Sequence, residues 1–172
     1  IGGRTRTVVF DKRYGSGSNK VILAGAVSGG IFRTSDGGAN WTLVTPANEI
    51  HNVTAIAQDP RAGFENNWYA GGGEPYGNSA SPPAGGAFYN GYGLMKSTDN
   101  GLTWNRITST YNGALESFDD AFDIVHKILV HPVTGHVYVA AHRRLMRSTD
   151  NGTTFNPVFI GTQPAAADNG QL

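Results

Sequence analysis

Three aspartates occupy one recurring octet. TSDGGANW fills 34–41, STDNGLTW fills 97–104 and STDNGTTF fills 148–155, so Asp36, Asp99 and Asp150 share the pattern Ser/Thr-x-Asp-x-Gly-x-x-aromatic. A carboxylate there can act as one of the paired acids of glycoside hydrolysis, ligate calcium, or accept backbone N–H groups and close a turn. A second group of chemically useful side chains lies in GGGEPYGNSASPPAGGAFYNGYG, residues 71–93. It offers Glu74, Tyr76, Asn78, Tyr89 and Tyr92, and Tyr with Asn suits a sugar or a peptide through stacking and adaptable hydrogen bonds. A third lies in NGALESFDDAFD, residues 112–123, where Glu116, Asp119, Asp120 and Asp123 could gather around calcium, a hard ion that prefers several oxygens. Their spacing does not match the EF-hand loop. A solvated acidic connector is the plainer reading, and no metal or other cofactor is expected. His51 and the run His142-Arg143-Arg144 complete the candidates.

The elements that must position these residues are short β-like runs. Each octet lies between two of them: GIFRTSD then NWTLVT, GLMKSTD then TWNRITS, RLMRSTD then TFNPVFI. A second pair precedes each octet: RTVVFD and KVILAGAV, VTAIAQDP and NWYAGGG, VHKILVHP and HVYVAAH. Four strands joined by turns rich in Gly, Asn, Asp and Pro therefore recur three times. Helical periodicity is absent apart from a single turn within ALESFDDAF. A four-stranded antiparallel sheet repeated along a chain is the unit of a β-propeller. The expected fold is all-β, with three blades at about 4–46, about 50–110 and about 121–161, and an insertion at 71–93 in the second. The first strands, around Val8–Val9, Ala55–Ile56 and Ile128–Leu129, are apolar and read as the buried inner strands.

This topology assigns the octets a place. They join third to fourth strands, so each is a hairpin in which the Asp accepts N–H bonds two or three residues on. Gly38, Gly101 and Gly152 supply a positive φ, and Trp41, Trp104 and Phe155 tuck between neighbouring sheets. Folding alone explains the repetition. Antiparallel strands also impose a parity: turns joining first to second and third to fourth strands emerge on one face. Turns joining second to third, and the connectors between blades, emerge on the other. The insertion, His51, the acidic connector and His142–Arg143 all belong to that second face, so the ligand face is expected opposite the aspartates.

Composition closes other routes. The 172 residues carry 13 basic and 13 acidic side chains with no basic stripe, which argues against nucleic acid as a partner. No apolar run approaches the roughly 18 residues of a membrane span. Cysteine is absent, so neither a disulfide framework nor a zinc–thiolate site is available. The chain opens on IGGRTR and reads as a processed or excised segment.

The octets resemble the Asp-box, or bacterial neuraminidase repeat, S/T-x-D-x-G-x-x-W/F. The resemblance covers nearly the whole chain and extends to sialidases, sortilin-type ectodomains, xyloglucan-hydrolysing endoglucanases, photosystem assembly factors and secreted bacterial surface proteins. It implies a propeller. Its families differ in activity, so function must come from the site. Two enzymatic patterns within the resemblance are not met. The sialidase FRIP signature is missing; Arg4 and Arg6, in GGRTRTVVF, lie at the start of the first inner strand, and no second or third arginine of a triad can be assigned. In the xyloglucan-hydrolysing family a catalytic Asp sits in TDVGG; the matching stretch is AVSGG at 26–30, with Val27 in its place. Glu74 is the remaining acid candidate, without a partner.

The reading that results is a non-catalytic module, secreted or displayed on a bacterial surface, that binds a glycan or protein through the insertion face. Its other partners are the remaining blades of a larger propeller or neighbouring domains. The resemblance to sortilin-like exported proteins adds the type IX secretion route as an expectation. The alternatives are the amino-terminal part of a glycoside hydrolase and a structural or assembly-factor propeller.

Overall fold

A computed structural model describes residues 4–46, 52–77, 87–113 and 120–161. The first blade is β1 (Thr5–Phe10), β2 (Ile22–Ala26), β3 (Gly30–Thr34) and β4 (Thr42–Leu43), paired in that order. The second is β5 (Ala55–Gln58), β6 (Trp68–Gly71), β9 (Met95–Ser97) and β10 (Asn105–Arg106). Between β6 and β9 the insertion forms a hairpin of its own, β7 (Glu74–Gly77) with β8 (Ala87–Tyr89), rather than an unstructured loop. The third blade is β11 (Val125–Val130), β12 (Val137–Ala141), β13 (Arg144–Ser148) and β14 (Asn156–Ile160). All neighbours are antiparallel. β5 packs beside β1 on one side and β11 on the other, so the first strands gather while the fourth strands lie outward. This is a β-propeller of four-stranded blades.

The core lies between blades rather than within them. One cluster joins Leu23 and Ile31 of the first blade to Ile56, Trp68, Met95 and Trp104 of the second. The other joins Ala57, Tyr69 and Ile107 of the second blade to Ile128, Val139 and Met146 of the third. Strand alternation explains the division, because successive side chains point to opposite faces of a sheet. Each blade thus has a leading face toward the lower-numbered blade and a trailing face toward the next.

Burial peaks on the second strands, not the first. Every residue of β2 and β6 is buried, whereas in β1 Val8 remains 56% and Phe10 55% exposed. A second strand has a strand on each edge and, in the second blade, a sheet on each face. β1 faces the open leading side of the first blade, so its apolar residues lack a cover. The expectation that all three first strands are buried is corrected at β1, and in β11 at Leu129, which is 58% exposed.

In the three octet turns the aspartate closes the hairpin. Asp99 Oδ1 accepts from Ser97 Oγ at 2.7 Å, Leu102 N at 3.0 Å and Thr103 N at 2.9 Å. Asp150 repeats this with Ser148 Oγ, Thr153 N and Thr154 N at 2.7, 3.1 and 2.9 Å. Asp36 does so with Thr34 Oγ at 2.6 Å and Asn40 N at 3.0 Å. The bonds reach three and four residues on, one further than an Asx turn, because two consecutive residues are left-handed. Asn100 and Gly101 have φ of 61° and 77°, and Asn151 and Gly152 have 57° and 80°. The glycines are also close-packed. A Cβ on Gly101 would lie 2.9 Å from Leu23, and one on Gly152 would lie 2.6 Å from Tyr69. The second and third turns are therefore seated on the second strand of the preceding blade.

A second repeated device escaped the sequence reading. DKR at 11–13 and DPR at 59–61 each place an Arg two residues beyond a buried Asp. Asp11 receives Arg13 N, Nε and Nη2 at 2.9, 3.0 and 2.8 Å, and Gln58 Nε2 of the next blade at 3.1 Å. Asp59 receives Arg61 N, Nε and Nη2 at 3.1, 3.0 and 2.7 Å, and Arg61 continues to Asn151 Oδ1 at 3.2 Å. In the third blade His131 stands at this place, and its Nδ1 accepts from Thr134 N at 3.1 Å. Charge-assisted forks of this kind tie one blade to the next on the aspartate face.

The turn carboxyls titrate below the ordinary aspartate range. Hydrogen bonds led by the Thr34 hydroxyl lower Asp36, and those led by the Thr154 hydroxyl lower Asp150. At Asp99 burial pushes upward, but bonds from Thr103, Ser97 and Leu102 outweigh it. Folded values below unfolded ones mean stability that is complete above the unfolded carboxyl pKa and drains as pH falls through the folded values. The melting temperature should hold from neutral pH down to about pH 4 and fall below it. Asp99→Ala should lower stability at neutral pH by about 1–2 kcal/mol and flatten that acid limb, both read by thermal melts.

Candidate functional site

The face opposite the aspartates is assembled around the root of the insertion. Gly72 and Gly73 run between Asn52 and Asp123 so closely that a Cβ would lie 1.6 Å from the Asn52 carbonyl oxygen and 1.8 Å from that of Asp123. The run of glycines opening the insertion is explained by this passage. Asn52 then locks the passage in place. Its Oδ1 accepts from Ser28 N of the first blade at 3.0 Å, and its Nδ2 donates to the Asn90 carbonyl at 2.6 Å. Gly91 N donates to the Asp123 carbonyl at 2.6 Å, and Val125 N to that of Gly72 at 2.7 Å. Three blades thus meet at one backbone crossing.

Glu74 begins β7 directly above this crossing and is 5% exposed. Arg4 Nη2 donates to its Oε2 at 2.8 Å, and the Arg6 guanidinium meets its Oε1. Arg4 and Arg6 flank Thr5 where the β1–β2 register shifts between Thr5 and Thr7, and both reach this one acid. A general acid needs a proton at one of these oxygens and a leaving group beside it. Here guanidinium groups occupy both.

The return limb of the insertion carries the aromatic group. The rings of Tyr92 and Tyr111 meet edge to face, with centroids 4.3 Å apart and an interplanar angle of 62°, and their hydroxyls are hydrogen-bonded. Arg106 lies over the Tyr92 ring at 3.5 Å and over Tyr111 at 4.8 Å. Tyr89, opposite Glu74 in the β7–β8 pairing, is half-buried. Sequence reasoning named Tyr89 and Tyr92 but missed Tyr111 and Arg106, which come from the far side of β9 and join them only through the blade.

The remaining candidates are dispersed. His142 and Arg143 form the β12–β13 turn, with Arg143 left-handed at φ 54° and exposed. His142 is half-buried; its Nε2 has no hydrogen-bond partner among the described residues. Burial, helped by Arg143 and His126, lowers its pKa and favours the neutral ring. Asp120 caps a short 3-10 turn, Ala121–Asp123, by accepting from Phe122 N at 2.9 Å, while Asp123 Oδ2 accepts from Asp120 N at 2.7 Å. Among the described residues no three His, Cys, Asp or Glu side chains form a metal-binding group. His51, Asn78, Glu116 and Asp119, and the side chain of Tyr76, lie outside the described residues.

This face therefore presents an ion-pair node, Arg4–Glu74–Arg6, and an aromatic–guanidinium shelf, Tyr92–Tyr111–Arg106. The first offers charge near the gathered first strands. The second offers ring edges and polar tips suited to stacking against a sugar or a peptide.

Comparison with known proteins bears on the fold. No protein-family model matches the chain, and no curated protein matches it. Among solved structures it is similar to an ancestral GH74 enzyme, with 20% identity, a TM-score of 0.62, and coverage of 88% of this chain and 18% of that one. A GH74 enzyme from Niastella koreensis is similar at 19% identity and TM-score 0.52, covering 83% of this chain and 20% of that one. YCF48 bound to D1 peptide is similar at 17% identity and TM-score 0.51, covering 94% of this chain and 45% of that one. The chain thus spans less than half the length of each of these structures, and the likeness they share with it is the β-propeller fold.

Proposed function

We propose that this chain is a non-catalytic propeller module of the Asp-box type, exported to a bacterial surface or secreted, that holds a glycan or a protein segment on its insertion face. The observation that carries this reading is the engagement of Glu74 by Arg4 and Arg6 on a face otherwise furnished with Tyr89, Tyr92, Tyr111 and Arg106. That face is built to bind rather than to transfer protons. The solved YCF48 propeller with a bound peptide supports the view that this fold can present a peptide site. The ring is completed by further blades.

The test is retention on a glycan array and on immobilised peptides. Replacing Tyr76, Tyr89 and Tyr92 together by Ala should weaken retention at least about tenfold while circular dichroism stays that of the folded chain. Unchanged retention would leave the module without its site.

A second reading, the amino-terminal part of a glycoside hydrolase, draws on the fold shared with GH74 enzymes. It makes an opposite prediction for one residue. In the binding reading Glu74→Gln removes a charge from between two guanidinium groups and should lower stability by about 1–3 kcal/mol, with no turnover to lose. Hydrolysis of β-glucan or sialoside that disappears in Glu74→Gln at unchanged melting temperature would establish the hydrolase reading instead.

A further inference from the structure

Tyr92 and Tyr111 are held together by more than their own contact. Beside them Leu94 N donates to Thr110 Oγ1 at 2.8 Å, and Thr110 Oγ1 donates to the Ile107 carbonyl at 2.7 Å. Gly93 lies against the same threonine, since a Cβ there would stand 2.7 Å from the Thr110 carbonyl oxygen. The return limb of the insertion and the segment that follows β10 are thus pinned within a residue or two of each ring. The two phenols are 19 residues apart in the chain, yet their rings touch edge to face and their hydroxyls share a hydrogen bond. Both residues are half-buried.

A pair of phenols in contact can do a reaction that a single phenol cannot. A phenol that loses an electron releases its hydroxyl proton, and here the neighbouring hydroxyl oxygen stands ready to accept the hydrogen bond. The Arg106 guanidinium lies 3.5 Å from the Tyr92 ring centre and 4.8 Å from that of Tyr111. It is attracted to an electron-rich ring and repelled by one that has lost an electron and kept its proton. Electron and proton therefore leave together, and each ring becomes a neutral phenoxyl radical. The unpaired electron is shared with the carbons ortho to the oxygen, each one bond from Cζ, and the hydroxyl contact brings that edge of one ring to the other. Other groups are worse placed for this chemistry. Tyr14 meets Phe10 rather than a phenol, and Tyr69 is 1% exposed with its hydroxyl on the Asn151 carbonyl. Cysteine is absent, so no thiol of the chain returns a hydrogen atom to the radical.

We propose that Tyr92 and Tyr111 form an oxidative modification site, at which hydrogen peroxide, acting through a peroxidase-class one-electron oxidant, joins them as dityrosine. Each phenol gives up one electron and one proton, and the ortho carbons form a carbon–carbon bond. The hydrogens on those carbons then move to the oxygens and restore both phenols. Hydrogen peroxide takes up the two electrons and two protons and leaves as two water molecules. The product closes a covalent loop over β9 and β10 and fastens the insertion's return limb to the end of the second blade. Such a link restricts the unfolded chain as a disulfide does, in a sequence that has no cysteine to form one. It needs no ligand, so it stands whether or not that face holds a glycan or a peptide.

The test treats the full 172-residue chain, in dilute solution, with a haem peroxidase and hydrogen peroxide. Single chains on a denaturing gel should acquire dityrosine fluorescence. Mass mapping of their digest should find the peptides of Tyr92 and Tyr111 joined with the loss of two hydrogen atoms. Tyr92→Phe and Tyr111→Phe, each with native circular dichroism, should both lose this intrachain product, because phenylalanine yields no phenoxyl radical. Links that form only between chains, or an intrachain link that maps to another tyrosine pair in place of this one, would overturn the proposal. A wild-type chain that stays unlinked while free tyrosine in the same reaction couples would overturn it as well, and that result needs no variant to fold.

Discussion

A propeller blade has two apolar faces and can bury neither by itself. The packing of the blades and the design of the aspartate turns follow from that constraint. Leu23 and Ile31 are buried because Ile56, Met95 and Trp104 of the next blade lie against them. Tyr69 is buried because the third blade covers it. The aspartate turns serve the same end. Each carboxylate holds two consecutive left-handed residues in a tight corner, and in the second and third blades that corner is the knob that fits the preceding sheet. The close approach of Gly152 to Tyr69 shows how little room is left. The paired devices DKR and DPR add charged forks between the same blades on the same side.

The opposite face is free of that duty and departs from the repeat. Its backbone crossing at Gly72 and Gly73 can be entered only by residues without a Cβ, and Asn52 ties the crossing to the first blade. The insertion is thereby fixed at its root while it carries a hairpin and a set of tyrosines outward. Glu74 illustrates the difference between a residue type and its setting. A lone glutamate in a glycine-rich stretch reads as an acid; between Arg4 and Arg6 it is a tie between the first and second blades.

Much of the architecture was legible because it is local. Turn chemistry at 34–41, 97–104 and 148–155 depends on residues a few positions apart, and the strand runs flanking each turn have their own period. The order of four strands and the face on which each turn emerges follow from antiparallel pairing alone. The burial of β1 was misjudged, since an apolar strand is buried only if something covers it, and the leading side of the first blade is uncovered. The D-x-R forks were overlooked because two copies of a three-residue pattern, with His131 standing in the third, make a faint signal.

The amino-acid order by itself determined the repeating unit, its turns and the side on which irregularity would appear, since each depends on neighbours along the chain. Tertiary structure alone decided which side chains meet. Arg33 reaches Asn100 of the next blade, and Arg6 reaches Glu74, across sequence separations that no spacing rule spans. The physical reason is that these contacts form between sheets, and the distance between two sheets is set by how their faces pack, not by the chain that links them.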